Sequence, residues 1–483
     1  MKIVYVIMAS GKKNMRTCGK LAKNYIDLIS KNTFEKGILT WDAEHSNEQE
    51  NPIILTKVRP DISIVIPLGY WSNPILKNYP KIDYNMTTLI PDLKYKEIEL
   101  RDYQVTPYSI ISSTIDKKIE ESRPCFLRLI MPCGFGKTMM AVKLIQELKI
   151  KTAVILWCTS LMTQWMESLK FGGITDVVGS QGSIPDTLEL INLKYPDIII
   201  ITAAHLVRRD CRKLIQSKYD MIFIDESHKY NLNNVNGLKK FLHFYPCPFT
   251  FFLTATPRVI NSFYCNDILS FCKDNKILKK YRVLSSTSSV MSEQTKKIYE
   301  GYDSVKDRYK MMRGMVLEKD TYRLEYILET IKDYFADDMF DCGIVLTKSR
   351  NVMKILFNSL LEEFPEHVYV ADAEKTKETQ VLLQYLKKKK CFILVSTFQY
   401  AGTGLDLPNL DAVFFSSPMI SRTDVIQSAG RVSRFNPKKP IRLAVVFNVS
   451  SILNWINIMR KGSKLVTETL SSLDWVEDIS VPK

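Results

Sequence analysis

From residue 96 onward, short apolar runs alternate with stretches of helical length, and this alternation limits the chain to very few folds. Residues 125–132, 152–157, 197–202, 219–225 and 249–253 are apolar mostly at successive positions rather than at every second one. Such strands have no face to give to water, so they predict parallel sheets covered by helices on both sides. This first α/β unit is expected to end near Phe271. From 273 to 330 the strand signal fades, and lysines and serines gather around Ser285-Ser286-Thr287-Ser288-Ser289, which predicts a connector with helical pieces. The alternation resumes at 343–347, 367–370, 391–396, 412–415 and 441–447 as a second α/β unit.

The remaining boundaries follow from these units: an accessory segment at 1–95, a first domain at 96–272, the connector at 273–330, a second domain at 331–460 and a tail at 461–483. Within the leading segment, residues 3–9 predict a buried strand, 42–50 a polar loop and 61–67 an alternating strand. No apolar run approaches the ~20 residues that span a bilayer. The 10 cysteines include no Cys-x-x-Cys pair and there are only 5 histidines, which argues against a structural zinc and for a reducing compartment. With 67 Lys+Arg against 52 Asp+Glu, the charge of +15 suits an acidic polymer as partner but fits a solvated surface equally well.

The strongest local signal is Met131-Pro132-Cys133-Gly134-Phe135-Gly136-Lys137-Thr138, between a predicted strand and a predicted helix. Glycines let the backbone N–H groups and the helix N-terminus turn toward phosphates, and lysine adds a point charge there. Thr138 is then placed for Mg²⁺. The full pattern asks for glycine at 131, where this chain has methionine. Downstream, the predicted strand at 219–225 runs into Asp225-Glu226-Ser227-His228. Adjacent carboxylates at a buried strand end are costly unless they hold a cation or move protons. Asp225 suits Mg²⁺, and Glu226 suits activation of an attacking water.

A second cluster lies in the second unit. Residues 396–408 carry hydroxyls, two glycines and Asp406 directly after a strand, and 427–434 set Arg431 and Arg434 three apart. An arginine that reaches a γ-phosphate offsets transition-state charge. Taken together, the two clusters describe an ATP-driven motor.

Taken in chain order, these elements with Thr254-Ala255-Thr256 resemble the core of a superfamily 2 helicase over roughly residues 98–450. That resemblance implies two tandem RecA-like domains with parallel sheets, plus a small N-terminal domain, and ATP with Mg²⁺ as cofactors. Carried over position by position, it gives Lys137 with Gly134, Phe135 and Gly136 to the phosphates, Thr138 and Asp225 to Mg²⁺, and Glu226 to water. Gln104, within Leu100-Arg101-Asp102-Tyr103-Gln104, would read the adenine base. His228, Thr254 and Thr256 would couple hydrolysis to strand grip. Gly404 and Asp406 would lie near the ribose, Gln427 near the γ-phosphate, and Arg431 and Arg434 would be the arginine fingers. Thr159, Thr202 and Thr397 would touch the nucleic-acid backbone, while His205 reads as structural.

Narrower phrases, including Asp225-Glu226-Ser227-His228 and Gly402-Thr403-Gly404-Leu405-Asp406, are similar to the poxvirus branch acting in late transcript release. They are less similar to the DNA translocase of the eukaryotic repair and transcription factor. The resemblance implies DNA or RNA as partner with DNA favoured, 3′ to 5′ polarity, contact with transcription proteins, and residence in the host cytoplasm and virion. A single strand held through phosphates would draw on Arg208, Arg209, Lys348 and the lysines at 387–390. The alternatives are an RNA helicase, a phosphotransferase that uses the same loop, and a non-hydrolysing clamp.

Overall fold

The computed structural model describes residues 89–478, apart from 122, 181, 233–235, 258–260, 262–263, 272–277, 291–296, 299, 305–306, 308–309, 312–317, 373–375, 399, 402–404, 406, 420, 434–440 and 450–456, and in the leading segment only the backbones of five short antiparallel strands. The chain divides into two compact units at Lys273 and Asp274.

The first unit is built on seven parallel strands: β1 (Cys125–Ile130), β2 (Thr152–Leu156), β3 (Val177–Gly179), β4 (Ile198–Thr202), β5 (Met221–Ile224), β6 (Phe249–Thr254) and β7 (Asp267–Ser270). Their order across the sheet is β7-β1-β6-β5-β2-β4-β3. Every residue of β2, β4, β5 and β6 is buried, as expected for strands covered on both faces. Alternate side chains serve opposite cores. In β2, Ala153 and Ile155 pack on one face, and Val154 and Leu156 on the other. The helices that cover these faces are α1 (Asp102–Glu120), α2 (Lys137–Leu148), α3 (Ser160–Phe171), α4 (Ile184–Lys194), α5 (Arg209–Lys218) and α6 (Gly237–Phe244).

The second unit repeats the architecture with β8 (Leu278–Ser286), β9 (Cys342–Thr347), β10 (Val368–Ala371), β11 (Phe392–Thr397), β12 (Ala412–Phe415), β13 (Ile441–Val449) and β14 (Val476–Glu477). Here the order is β10-β11-β9-β12-β13-β8-β14, again parallel throughout. Helices α7 (Thr321–Ala336), α8 (Arg350–Glu363), α9 (Thr376–Leu386), α10 (Arg422–Val432) and α11 (Asn457–Ser471) accompany it. These are tandem RecA-like domains.

Two expectations are corrected. The connector expected at 273–330 contains β8, nine residues paired with β13 from Leu278↔Ile441 to Ser286↔Val449. Its charged side chains disguise it, because they are satisfied by the C-terminal segment. Lys279 Nζ donates to the Leu473 carbonyl at 2.8 Å, and Arg282 Nη2 pairs with Asp478 Oδ2 at 2.9 Å. The tail expected at 461–483 is likewise integral: it carries most of α11, the buried Trp475, and β14, which pairs with β8 at the sheet edge. The strand expected at 3–9 and the loop at 42–50 lie outside the described residues, and of 61–67 only the strand Ile64–Val65 is described. Among the described residues no helix is long and apolar enough to cross a membrane.

Candidate functional site

In an open parallel sheet the strands all point their carboxyl ends to one edge, where loops from neighbouring strands meet. In the first unit β1, β6 and β5 are adjacent, so the phosphate loop, Thr254 and Asp225 emerge side by side. Thr254 pairs with Ile130 in register, and its carbonyl accepts the Met131 N–H at 2.9 Å. Met131 is fully buried in the core below the loop. This explains why methionine serves where the pattern asks for glycine: the turn begins after it.

The loop then turns through two left-handed glycines, Gly134 with φ 73° and Gly136 with φ 96°, and α2 starts at Lys137. The φ of 96° favours glycine, and a Cβ at Gly136 would lie 2.4 Å from Gln104 Nε2 and displace that amide from the loop. Lys137 Nζ lies across the loop, 3.5 Å from the Met131 carbonyl. Thr138, half-buried, stands in the first turn of α2, where unpaired N–H groups favour anions.

Gln104, expected at the base, packs against the phosphate loop. Only 4% exposed, its Nε2 donates to the Phe135 carbonyl at 2.7 Å, and its Oε1 accepts the Arg101 N–H at 3.0 Å. The side chain braces the loop through one amide hydrogen and one lone pair of its oxygen. Phe135 likewise offers a ligand only its backbone, because its ring is buried and meets Tyr103 edge-on at 5.4 Å.

At the end of β5, Asp225 is buried, and its Oδ1 accepts the Glu226 N–H at 2.8 Å. Its Oδ2 accepts the indole N–H of Trp165, on α3, also at 2.8 Å. Burial raises the Asp225 carboxyl above its ordinary range, and the Glu226 charge raises it further; the Trp165 hydrogen bond and the Lys137 ammonium pull the other way. A carboxylate held in this way favours a cation beside it, and hard oxygen donors from Asp225 and Thr138 fit Mg²⁺.

Glu226 sits at φ 46°, a left-handed conformation that a non-glycine residue adopts only when its surroundings impose it. From there its Oε2 lies 3.3 Å from His228 Nδ1. That ring nitrogen is 3.1 Å from Thr254 Oγ1, which in turn accepts the Thr256 N–H at 3.0 Å. Of the expected coupling residues, His228 thus contacts Glu226 directly, and Thr254 and Thr256 follow it in a chain of contacts.

The remaining expectations divide. Thr159 is exposed at the entry to α3, and Thr397 is half-buried at the end of β11. Thr202, expected at the nucleic-acid backbone, is instead buried, with its hydroxyl 3.0 Å from His205 Nδ1. In the second unit Gln427 is buried within α10, and Arg431 on the same helix has a buried Nε with no hydrogen-bond partner among the described residues. Gly404, Asp406 and Arg434 lie outside the described residues. Of the basic residues considered for a track, Arg208 is exposed, Arg209 donates to Tyr245 Oη at 3.1 Å, and Lys389 covers the Tyr369 and Tyr385 rings.

Residues 97–259 match the family model described as type III restriction enzyme, res subunit, and 325–436 match the helicase conserved C-terminal domain. The chain is 30% identical over 371 residues to transcript termination protein A18 of myxoma virus, an alignment that covers 76% of this chain and 77% of the relative. It is 31% identical over 378 residues to transcript termination protein OPG145 of vaccinia virus, covering 77% and 76%. The chain belongs to the poxvirus transcript termination family of superfamily 2 helicases. Its fold agrees: a solved ATP-dependent type ISP restriction-modification enzyme, LlaBIII bound to DNA, superposes with a TM-score of 0.55 at 15% identity over 78% of this chain. This chain spans 30% of that larger enzyme, so the match speaks to fold alone. As a superfamily 2 helicase, the protein is a nucleotide-using ATPase.

Proposed function

We propose that this ATPase tracks along DNA, 3′ to 5′, and that the movement releases nascent transcripts within a viral transcription apparatus in the host cytoplasm and virion. Lys137 and the N–H groups at the start of α2 hold the phosphates, and Thr138 and Asp225 hold Mg²⁺. When bound, Mg²⁺ supplies positive charge against the phosphate oxygens. Glu226 takes the proton of the attacking water, a role worth ~10² to 10⁴ in rate. Gln427, Arg431 and Arg434 act on the γ-phosphate, where an arginine contributes ~10³ to 10⁵, and Gly404 and Asp406 act at the ribose. Thr159 and Thr397 hold the strand.

One observation carries the reading beyond ATP hydrolysis. Glu226, the group beside the attacking water, touches His228, and His228 touches Thr254. A change at Glu226 during turnover is therefore passed to the loop after β6, on the edge that also carries Thr159. The deciding experiment uses duplex DNA with a 3′ or a 5′ single-stranded tail, and the matching RNA. Displacement or ATP turnover that requires the 3′ DNA tail supports the proposal, whereas stimulation by RNA alone moves the polymer assignment. Arg431→Ala is expected to lower polymer-stimulated turnover about a thousandfold while ATP still binds.

A further inference from the structure

Trp157 stands out on the rim that bears the proposed strand contacts. Within β2, Ala153 and Ile155 face the same core as Tyr230, and Trp157 continues that alternation one step beyond the strand. There it leaves the core: it is 47% exposed, whereas Trp165 on the following helix is fully buried. Its indole nevertheless has a defined seat, because the ring of Tyr230, itself 4% exposed, meets it edge-on with centroids 5.6 Å apart. A T-shaped neighbour covers at most one face of the indole, so this half-exposed ring keeps a face for a planar partner.

The neighbourhood indicates what that partner is. Thr159 lies two residues on, exposed at the entry to α3. Leu156 pairs in register with Thr202, so Trp157 leaves the sheet level with the start of the turn Ala203–Val207, which leads to the exposed Arg208. The rim therefore offers a hydroxyl, a cation and an open aromatic face, the combination that holds a single strand by its phosphates and stacks its bases. We infer that Trp157 is a base-stacking platform, taking one unpaired nucleobase of the strand bound on this rim. The inference rests on the proposed nucleic-acid function and adds to it a grip on bases rather than on backbone alone. Tyr230, which seats the indole, directly follows the short turn Ser227–Lys229 that carries His228.

The test measures affinity of the full chain for two oligonucleotides of equal length and charge, one of thymidines and one of abasic sugars, for wild type, Trp157→Ala and Trp157→Phe. Wild type is expected to prefer the base-bearing strand about tenfold. Trp157→Ala is expected to bind both strands at the abasic level, and Trp157→Phe to restore most of the preference. Thermal unfolding checks that each variant is folded. A wild-type preference that persists in Trp157→Ala, an equal loss on both strands, or a wild type that binds both strands equally would overturn the platform while leaving nucleic-acid binding standing. Wild type that binds neither these strands nor RNA would overturn the functional reading itself, and the platform with it.

Discussion

At the scale of single residues, Asp225 occupies a costly position in the first unit. A buried carboxylate next to Glu226 is held by two donors, the Glu226 N–H and the Trp165 indole. Residues that orient a metal ligand typically contribute ~10- to 100-fold to metal affinity or activity. Trp165→Phe keeps an aromatic ring in the core and removes the donor. It is therefore expected to weaken Mg²⁺-dependent binding of a non-hydrolysable ATP analogue about tenfold, with little change in the analogue's Mg²⁺-free affinity. Equal losses with and without Mg²⁺ would show that Trp165 acts only through packing. Gly136→Ala tests the loop in a different way: a Cβ there meets Gln104 Nε2 at 2.4 Å in a backbone with φ 96°, so nucleotide affinity should fall at least tenfold by equilibrium titration. Neither the bracing role of Gln104 nor the Trp165 contact was legible in the sequence. An amide near a helix start looks like a ligand-reading group, and a tryptophan on an apolar helix face looks like core. Both meanings depend on partners brought from other elements, across 31 residues for Gln104 and 60 for Trp165.

At the scale of elements, α6 carries a titrating group unrelated to the site. His243 is buried, with Nε2 2.8 Å from Tyr264 Oη, and burial, assisted by the Lys239 charge, lowers its imidazole to about 3. The native state therefore excludes a proton that the unfolded chain accepts near pH 6.5. This stabilisation is complete above pH 6.5 and falls as the pH drops toward 3, by up to about 1.4 kcal/mol per pH unit for one proton. Denaturant melts of wild type and His243→Gln between pH 7 and 4 should show a shallower acid loss in the variant. Parallel curves would assign the acid sensitivity elsewhere. Elements were legible in the sequence where burial alone shapes them. The run before Asp225 reads as a strand because both of its faces meet core. β8 does not, because Lys279 and Arg282 look solvated until Leu473 and Asp478 are seen to satisfy them. The edge strands β3 and β7 escaped for a related reason: their residues are half-buried or exposed, so no continuous apolar run marks them.

At the scale of the whole molecule, two RecA-like units belong to a helicase-family ATPase, and a charge of +15 suits the polyanion proposed as its partner. Strand binding through phosphates releases counterions. Raising salt from about 50 to 200 mM should therefore weaken single-strand affinity roughly 50-fold if about four phosphates are neutralised, measured by fluorescence anisotropy. A flat salt response would argue that contacts other than phosphates dominate. In the proposed function, the residues gathered around Lys137, Asp225 and Glu226 hydrolyse ATP in response to a bound strand. Its most direct test is steady-state ATP turnover with and without single-stranded DNA, for wild type and Glu226→Gln. Turnover is expected to rise with the strand in wild type, and the variant to bind ATP still but hydrolyse it ~10² to 10⁴ more slowly. Wild-type turnover indifferent to any polymer, or a Glu226→Gln variant as fast as wild type, would contradict it.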